Sequence, residues 1–301
     1  MRQLGSDWRN KVCNTARFGV AFLMLLATAG AGCHGSSSPS NVVAPSSTPT
    51  PPPLTPTPMG VGGYVSDSAY RPLRGARIEA LDGPQAGTSA TTDANGQFSM
   101  AGQFDGTSRF SASLDGYIGA VATATQCATC VRPWVSFVLA LPTPPISVAG
   151  DYTVTFIADP NCAGIPAELQ TRSYAATMVP RAPSPNVPPD TAFRLTLNEG
   201  TFLPDNNSLW VGVAGNVVTM WFGGDGPYVV EQVASNTYIG FDGGIETVAA
   251  GSLQTIATSF NGFVDYCALN APMGNYYNCP LSAVARSECQ SANHQFRLTK
   301  R

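Results

Sequence analysis

From residue 150 to the C-terminus, apolar side chains recur at every second position in one short run after another. The runs are Tyr152/Val154/Phe156, Tyr174/Ala176/Met178, Phe193/Leu195/Leu197, Leu209/Val211/Val213 and Val218/Met220/Phe222, then Tyr228/Val230, Ile239/Phe241, Ile256/Thr258/Phe260 and Phe296/Leu298. A period of two belongs to strands that bury one face, not to helices with a period of 3.6. The breaks carry Gly-Asn, Gly-Gly-Asp-Gly-Pro and Asp-Gly-Gly clusters, which supply turns. Eight to ten strands joined by short turns predict an antiparallel up-and-down β-barrel or a second sandwich over residues 147–301. Two short helical pieces are expected within it. One is a single turn at Ile165–Leu169 with Pro166 near its start; the other spans Leu281–Glu288 before the final strand.

Residues 59–142 show the same habit on a smaller scale. Gly60–Ser66 reads as a first strand, and Ala76, Ile78 and Ala80 share one face of a second. Phe110/Ala112/Leu114 and Val135/Phe137/Leu139 alternate further on. Asn95-Gly96 is expected to supply positive φ angles for a tight hairpin, and Asp115-Gly116-Tyr117 makes another turn. Some seven short strands point to a β-sandwich. The chain is therefore all-β: a seven-stranded N-terminal sandwich, a Pro-rich linker at 143–146, and a larger antiparallel barrel or sandwich. Asp93-Ala94-Asn95-Gly96 also has the look of the start of a calcium loop. An EF-hand would need a carboxylate twelve positions in, where Phe104 stands, so the turn reading is preferred.

Upstream, four basic residues lie among the first 17, followed by the apolar run Phe18–Ala29 and the small residues Gly30-Ala31-Gly32 before Cys33. The run is too short to span a bilayer comfortably, and the three parts together make a secretory signal. This stretch resembles a bacterial lipoprotein signal, with Gly30 where that family usually has Leu. The resemblance implies removal of residues 1–32 and acylation of Cys33, which would hold the protein to a membrane. His34-Gly35, rather than Asp, follows the cysteine. By the retention rule of some such lipoproteins, that favours the outer membrane. Residues 33–58 form a Ser/Thr/Pro-rich tether that could reach roughly 75 Å as polyproline II.

Two further resemblances bear on the modules. Gly63-Tyr64-Val65, Pro72–Ile78, Thr92–Phe98 and Gly116-Tyr117 are similar to the carboxypeptidase regulatory-like domain. That family is a transthyretin-like β-sandwich that accompanies exported proteins and is not itself a peptidase. The resemblance implies a structural or binding role. Gly150-Asp151-Tyr152 with Arg297 on the last strand distantly resembles the closing pattern of lipocalins.

Removal of residues 1–32 takes away four basic residues and one acid, leaving 12 basic against 18 acidic and only one lysine, Lys300. No basic patch exists to neutralise phosphates, which argues against nucleic acid. Beyond Cys33 there are six cysteines, two in the first module and four in the second, an even number in each. Cys127 and Cys130 are read as a small disulfide ring rather than a redox or zinc motif, since no second pair or histidine accompanies them in that module. Cys162, Cys267, Cys279 and Cys289 allow three pairings. Cys267–Cys279 is the natural local pair, and Cys162–Cys289 would then staple the first strand to the last.

The search for catalysis is negative. Only His34 and His294 exist, and no His-Glu-x-x-His, Gly-x-Ser-x-Gly or Ser-x-x-Lys motif occurs. Six glutamates, Glu79, Glu168, Glu199, Glu231, Glu246 and Glu288, are scattered, with no two singled out as a hydrolytic pair. No catalytic residue, metal ligand or cofactor is assigned. The expected function is that of a non-enzymatic cell-envelope lipoprotein whose β-modules bind a protein or polysaccharide. The alternatives are a barrel carrying a small apolar ligand, or a hydrolase with an unrecognised site. Trp210, Trp221, Tyr276 and Tyr277 gathered on one outer face would favour the first; an open apolar lumen would favour the second.

Overall fold

The structure is a computed structural model that describes residues 60–126, 132–184, 186–224, 226–249, 252–273, 279–280 and 282–301. The signal, Cys33, the tether, the Cys127–Cys130 ring, Tyr276 and Tyr277 lie outside the described residues. Seven short strands come first: β1 (Val61–Asp67), β2 (Arg77–Ala80), β3 (Ser89–Thr91), β4 (Gln97–Met100), β5 (Arg109–Ser113), β6 (Ala120–Thr123) and β7 (Trp134–Leu139). They form a three-stranded sheet, β4-β1-β7, and a four-stranded sheet, β3-β2-β5-β6. Val61, Val65, Phe98, Val135 and Phe137 of the first sheet share a core with Ile78, Ala80, Phe110, Ala112 and Ala122 of the second. Gly63 sits in register with Phe98 on one side and Val135 on the other. A side chain there would run into the Phe98 ring.

The turn before β4 differs from the hairpin expected of Asn95-Gly96. Only Gly96 takes a positive φ, at 73°. The Asp93 carboxylate accepts hydrogen bonds from the Asn95 and Gln97 amides at 2.9 and 2.8 Å. Since β3 and β4 belong to different sheets, this Asp-anchored turn hands the chain from one sheet to the other.

Nine strands follow: β8 (Gly150–Ile157), β9 (Thr171–Pro180), β10 (Ala192–Leu197), β11 (Phe202–Ala214), β12 (Val217–Phe222), β13 (Val229–Ala234), β14 (Thr237–Val248), β15 (Thr255–Ala268) and β16 (Ala285–Lys300). Pairing runs β8-β9-β10-β11-β12-β14-β15-β16 and returns from β16 to β8, closing an eight-stranded antiparallel barrel. β13 is the continuation of β12. β12 pairs with β14 from Val217↔Val248 to Phe222↔Gly243, and β13 takes over at Val229↔Phe241. Residues 223–228 are thus an excursion from one barrel column rather than a reversal.

The expected helix at Leu281–Glu288 is overturned. From Ala285 the chain is already strand, with Glu288 opposite Asp265 and Ala285 opposite Ala268. Ladder pairing with the long β15 outweighs local helix propensity. The single turn near Pro166 is present, as a 3-10 turn at Ala167–Leu169.

Inward-facing residues fill the lumen. Phe156 stacks on Phe241 at 4.5 Å between ring centroids and meets Phe222 and Phe296 edge-on, both at 5.4 Å. Tyr174 and Phe260 complete the cluster, each 6.3 Å from Phe156. Eight strands leave a lumen just wide enough for side chains to fill. The disulfides take the expected pairing. Cys162–Cys289 spans 127 residues and ties the segment after β8 to β16, the strands that close the barrel. Cys267–Cys279 spans 12 and packs with Val230, Tyr238 and Met273 on the outer face. Arg297 lies opposite Thr155, and the cation near the Tyr152 ring is Lys300, at 6.0 Å.

The loop after β1 docks on the barrel. The fully buried Asp67 binds the Arg71 guanidinium at 2.6 Å and accepts from the Ala69 amide at 2.9 Å. Ser68 then donates to the Val213 carbonyl at 2.6 Å. Tyr70, with φ of 61°, lies against Gly212, where a Cβ would come within 2.6 Å of its ring. Ala69, Ala214 and Val217 form a small apolar contact with Leu141 beside them.

Candidate functional site

Four groupings of polar or aromatic side chains among the described residues could carry chemistry. The first lies inside the barrel. β9 aims Arg172 and Tyr174 inward, and β13 aims Glu231 at them from a strand that is not a neighbour. The Glu231 carboxylate, 4% exposed as a residue, accepts from Arg172 Nε at 2.8 Å and Nη2 at 2.5 Å, and from the Tyr174 hydroxyl at 2.8 Å. Burial and the neighbouring Glu231 charge push the Tyr174 hydroxyl well above its usual range. Hydrogen bonding to Glu231 raises the Arg172 guanidinium. Tyr174 thus keeps its proton and Arg172 its charge, and the trio braces the barrel from inside.

The second grouping sits at the closing seam and contains the residue types of a nucleophilic triad: Ser291, His294 and Asp159. The connections are wrong for catalysis. Ser291 donates to the Asp159 carboxylate, not to the histidine. His294 is fully buried and accepts from the Asp159 amide at Nδ1, 3.0 Å away. The ring proton therefore sits on Nε2, 3.2 Å from the Cys289 carbonyl oxygen. Burial lowers its pKa, which keeps the ring neutral. Cys162, Cys289 and His294 also approach one another, but both sulfurs are in the disulfide and both ring nitrogens are engaged by backbone. The seam is thereby fastened by a disulfide, a histidine and an aspartate together.

The third grouping covers the outer flank. The sequence places Trp210 and Trp221 on neighbouring strands, and the structure sets them directly opposite each other, on the face away from the inward Leu209, Val211, Met220 and Phe222. Arg194 lies opposite Trp210 on the other side, and Gly244 opposite Trp221. Trp221 lies over Gly244: its ring is 3.8 Å from where a Cβ would stand. The Trp221 Nε1 donates to the Gly223 carbonyl at 3.0 Å, so the 223–228 excursion fixes the indole. The Arg181 guanidinium stacks 4.5 Å from the Trp210 ring centroid and lies against Tyr70. Both indoles stay half-exposed, while the Trp210 Nε1 is enclosed without an acceptor.

Of the glutamates, Glu79 and Glu288 form exposed ion pairs with Arg77 and Arg286. Sequence reasoning missed a group of acids on the outer face, Asp242 on β14, Asp265 on β15 and Glu288 opposite Asp265. Burial, then the Glu288 and Asp242 charges, pushes Asp265 up to about 7. Burial raises Asp242 too, against the Gly224 amide that donates to it. The only sequence signal for this group is that each acid adjoins an inward apolar position, Phe241, Val264 or Cys289. A separate cleft of about 390 Å3 is lined by Ile118, Val121, Val138, Val187 and Pro188 among others, with no titratable side chain in its wall. No family model matches the chain, and no curated protein shows significant similarity to it.

Proposed function

We propose that this chain is a non-enzymatic cell-envelope lipoprotein, exported, acylated at Cys33 and held by its tether at the outer membrane, whose β-modules bind a protein or polysaccharide partner. The two small sheets are read as the leaves of a carboxypeptidase regulatory-like sandwich that steadies the barrel through Ser68 and Tyr70. The observation that carries the reading is the Trp210–Trp221 pair on the outer flank, fixed by Arg181 on one side and the Gly223 carbonyl on the other. Large, rigid, half-exposed aromatic side chains are the common anchors of binding surfaces. An apolar ligand inside the barrel would have to displace the rings around Phe156, so the carrier reading finds no support.

A hydrolase remains as the second reading, favoured by one observation: Asp265, pushed up to about 7 beside Asp242 and Glu288, has the protonation of a general acid near neutrality. One experiment separates the two. Protein extracted from membranes is assayed on a broad panel of glycosides and esters, with its mass determined in parallel. The binding reading expects acylation at Cys33 and no turnover. Turnover that disappears in Asp265→Asn would replace it with the hydrolase.

A further inference from the structure

We infer that the partner taken by the outer flank is an acidic polysaccharide, stacked on Trp221 and held through its carboxylates by Arg181 and Arg194. This rests on the flank being the contact surface.

The flank has two chemistries side by side. The Trp221 indole is half-exposed, with its six-membered ring beside Gly244 and its pyrrole edge beside Gly226, so glycines rather than bulky side chains border it. An indole so bordered suits the C–H side of a sugar ring, which is flat, weakly polar and rigid. A protein partner would more often seek an apolar pocket into which to insert a side chain. The second chemistry is positive charge. Arg71, Arg77, Arg109, Arg172 and Arg286 each pair with a carboxylate of this chain. Arg181 and Arg194 pair with no carboxylate among the described residues; Arg181 is stacked on Trp210 and hydrogen-bonded to the Tyr70 side chain, and Arg194 is exposed one strand away.

An unpaired guanidinium presents a planar fork of donors that matches a carboxylate bidentately. Arg194, Trp210 and Trp221 occupy consecutive strands, so the distance from Arg194 to Trp221 is two strand spacings, about 10 Å. That is the reach of a disaccharide, which lets one uronate bind arginine while the next ring stacks. Because the chain without its signal is acidic, with 12 basic against 18 acidic residues, long-range attraction cannot draw a polyanion to it, and the local pair must do so.

The test uses the full chain purified from membranes in detergent, titrated calorimetrically with polygalacturonate and with the same polymer after its carboxyls are reduced to alcohols. Polygalacturonate should bind roughly tenfold or more tightly than the reduced polymer. Arg181→Gln with Arg194→Gln should erase that preference without changing the thermal midpoint, and Trp221→Ala should weaken both polymers. Trp221→Phe, which keeps a ring, should retain part of the binding and guards against misfolding in the alanine variant.

Equal binding of the two polymers, still lost in Trp221→Ala, overturns the acidic specificity and leaves the flank standing. Binding of neither polymer overturns the inference. The flank reading is then judged separately, by whether Trp221→Ala abolishes chemical cross-linking of the chain to an envelope protein in intact cells. If that cross-link also survives, both readings fail.

Discussion

The inner and outer faces of the barrel use aromatic side chains in opposite ways. Inside, Phe156 is hemmed in by Phe222, Phe241, Phe296, Phe260 and Tyr174, and every ring is a wall for another. The polar groups there are equally saturated, as in the Glu231 carboxylate with its three donors. Outside, Trp221 stays half-exposed, Arg194 is exposed with no ion pair among the described residues, and Asp265 has a buried carboxylate oxygen without a partner. A lumen bounded by eight strands is spent on packing, so whatever this barrel recognises must be met on its exterior.

The largest expected effect tests what holds the interior shut. Replacing Cys162 and Cys289 by serine frees a loop of 127 residues and should cost up to about 4–5 kcal/mol in the chain-entropy account. The matching change at Cys267 and Cys279, 12 residues apart, should cost no more than about 3 kcal/mol. Urea unfolding of both variants gives the ranking. An outer bridge that matters as much as the seam would mean that the exterior is part of the closure. Phe156→Ala comes next, at about 3–5 kcal/mol, because it opens a hole at the centre of the ring cluster. Trp221→Ala should stay within about 1 kcal/mol of the parent in the same assay. Equal losses at the two positions would erase the distinction between a packed interior and a displayed exterior.

Acid and alkali should act on the two faces with opposite signs. Burial lowers the pKa of His294, so the native ring is neutral while the unfolded ring takes a proton below about 6.5. Its contribution is full above that value and falls as the pH drops. Asp265 is raised to about 7, so between about 4 and 7 the native carboxyl keeps a proton that the unfolded chain has released. Its contribution is full below about 4 and is lost as the pH climbs to 7. Asp265→Asn should therefore raise the thermal midpoint at pH 8 and lose most of that advantage at pH 4. A midpoint gain that is the same at both pH values would show that Asp265 is not perturbed as described.

The strands were legible in the sequence because burial on one face forces alternation. Tyr152/Val154/Phe156 and Phe193/Leu195/Leu197 are buried as their spacing predicts. The Trp pair was within reach as well. Trp210 and Trp221 are equally distant from the Gly215-Asn216 turn, and a tight hairpin places such positions opposite each other. What sequence could not separate was a reversal from an excursion. Gly-Gly-Asp-Gly-Pro has the composition of a hairpin turn, yet the chain returns to the same column, which only pairing with β14 reveals. The false helix at Leu281–Glu288 has the same origin, since residues with good helix propensity are claimed by a ladder whose partners run from Ala268 back to Asp265 on β15. The acids Asp242, Asp265 and Glu288 meet through the registers of three strands, and register between distant strands leaves no local mark.

The smallest expected effect concerns the two tryptophans themselves. The Trp221 Nε1 has an acceptor in the Gly223 carbonyl, whereas the Trp210 Nε1 is enclosed without one. A donor removed from water and left unpaired is a cost, so deleting it should be free or slightly favourable. Trp210→Phe and Trp221→Phe shrink a half-exposed indole by the same atoms, and the loss of packing cancels when the two are compared. What remains is one hydrogen bond, so Trp221→Phe should be about 1 kcal/mol less stable than Trp210→Phe. Equilibrium urea unfolding resolves a gap of that size if both variants keep the same slope. Were Trp210→Phe the weaker of the two, its indole nitrogen would have a partner after all. The flank would then be a tied-down part of the fold on both strands, and its claim to be a displayed surface would rest on Trp221 alone.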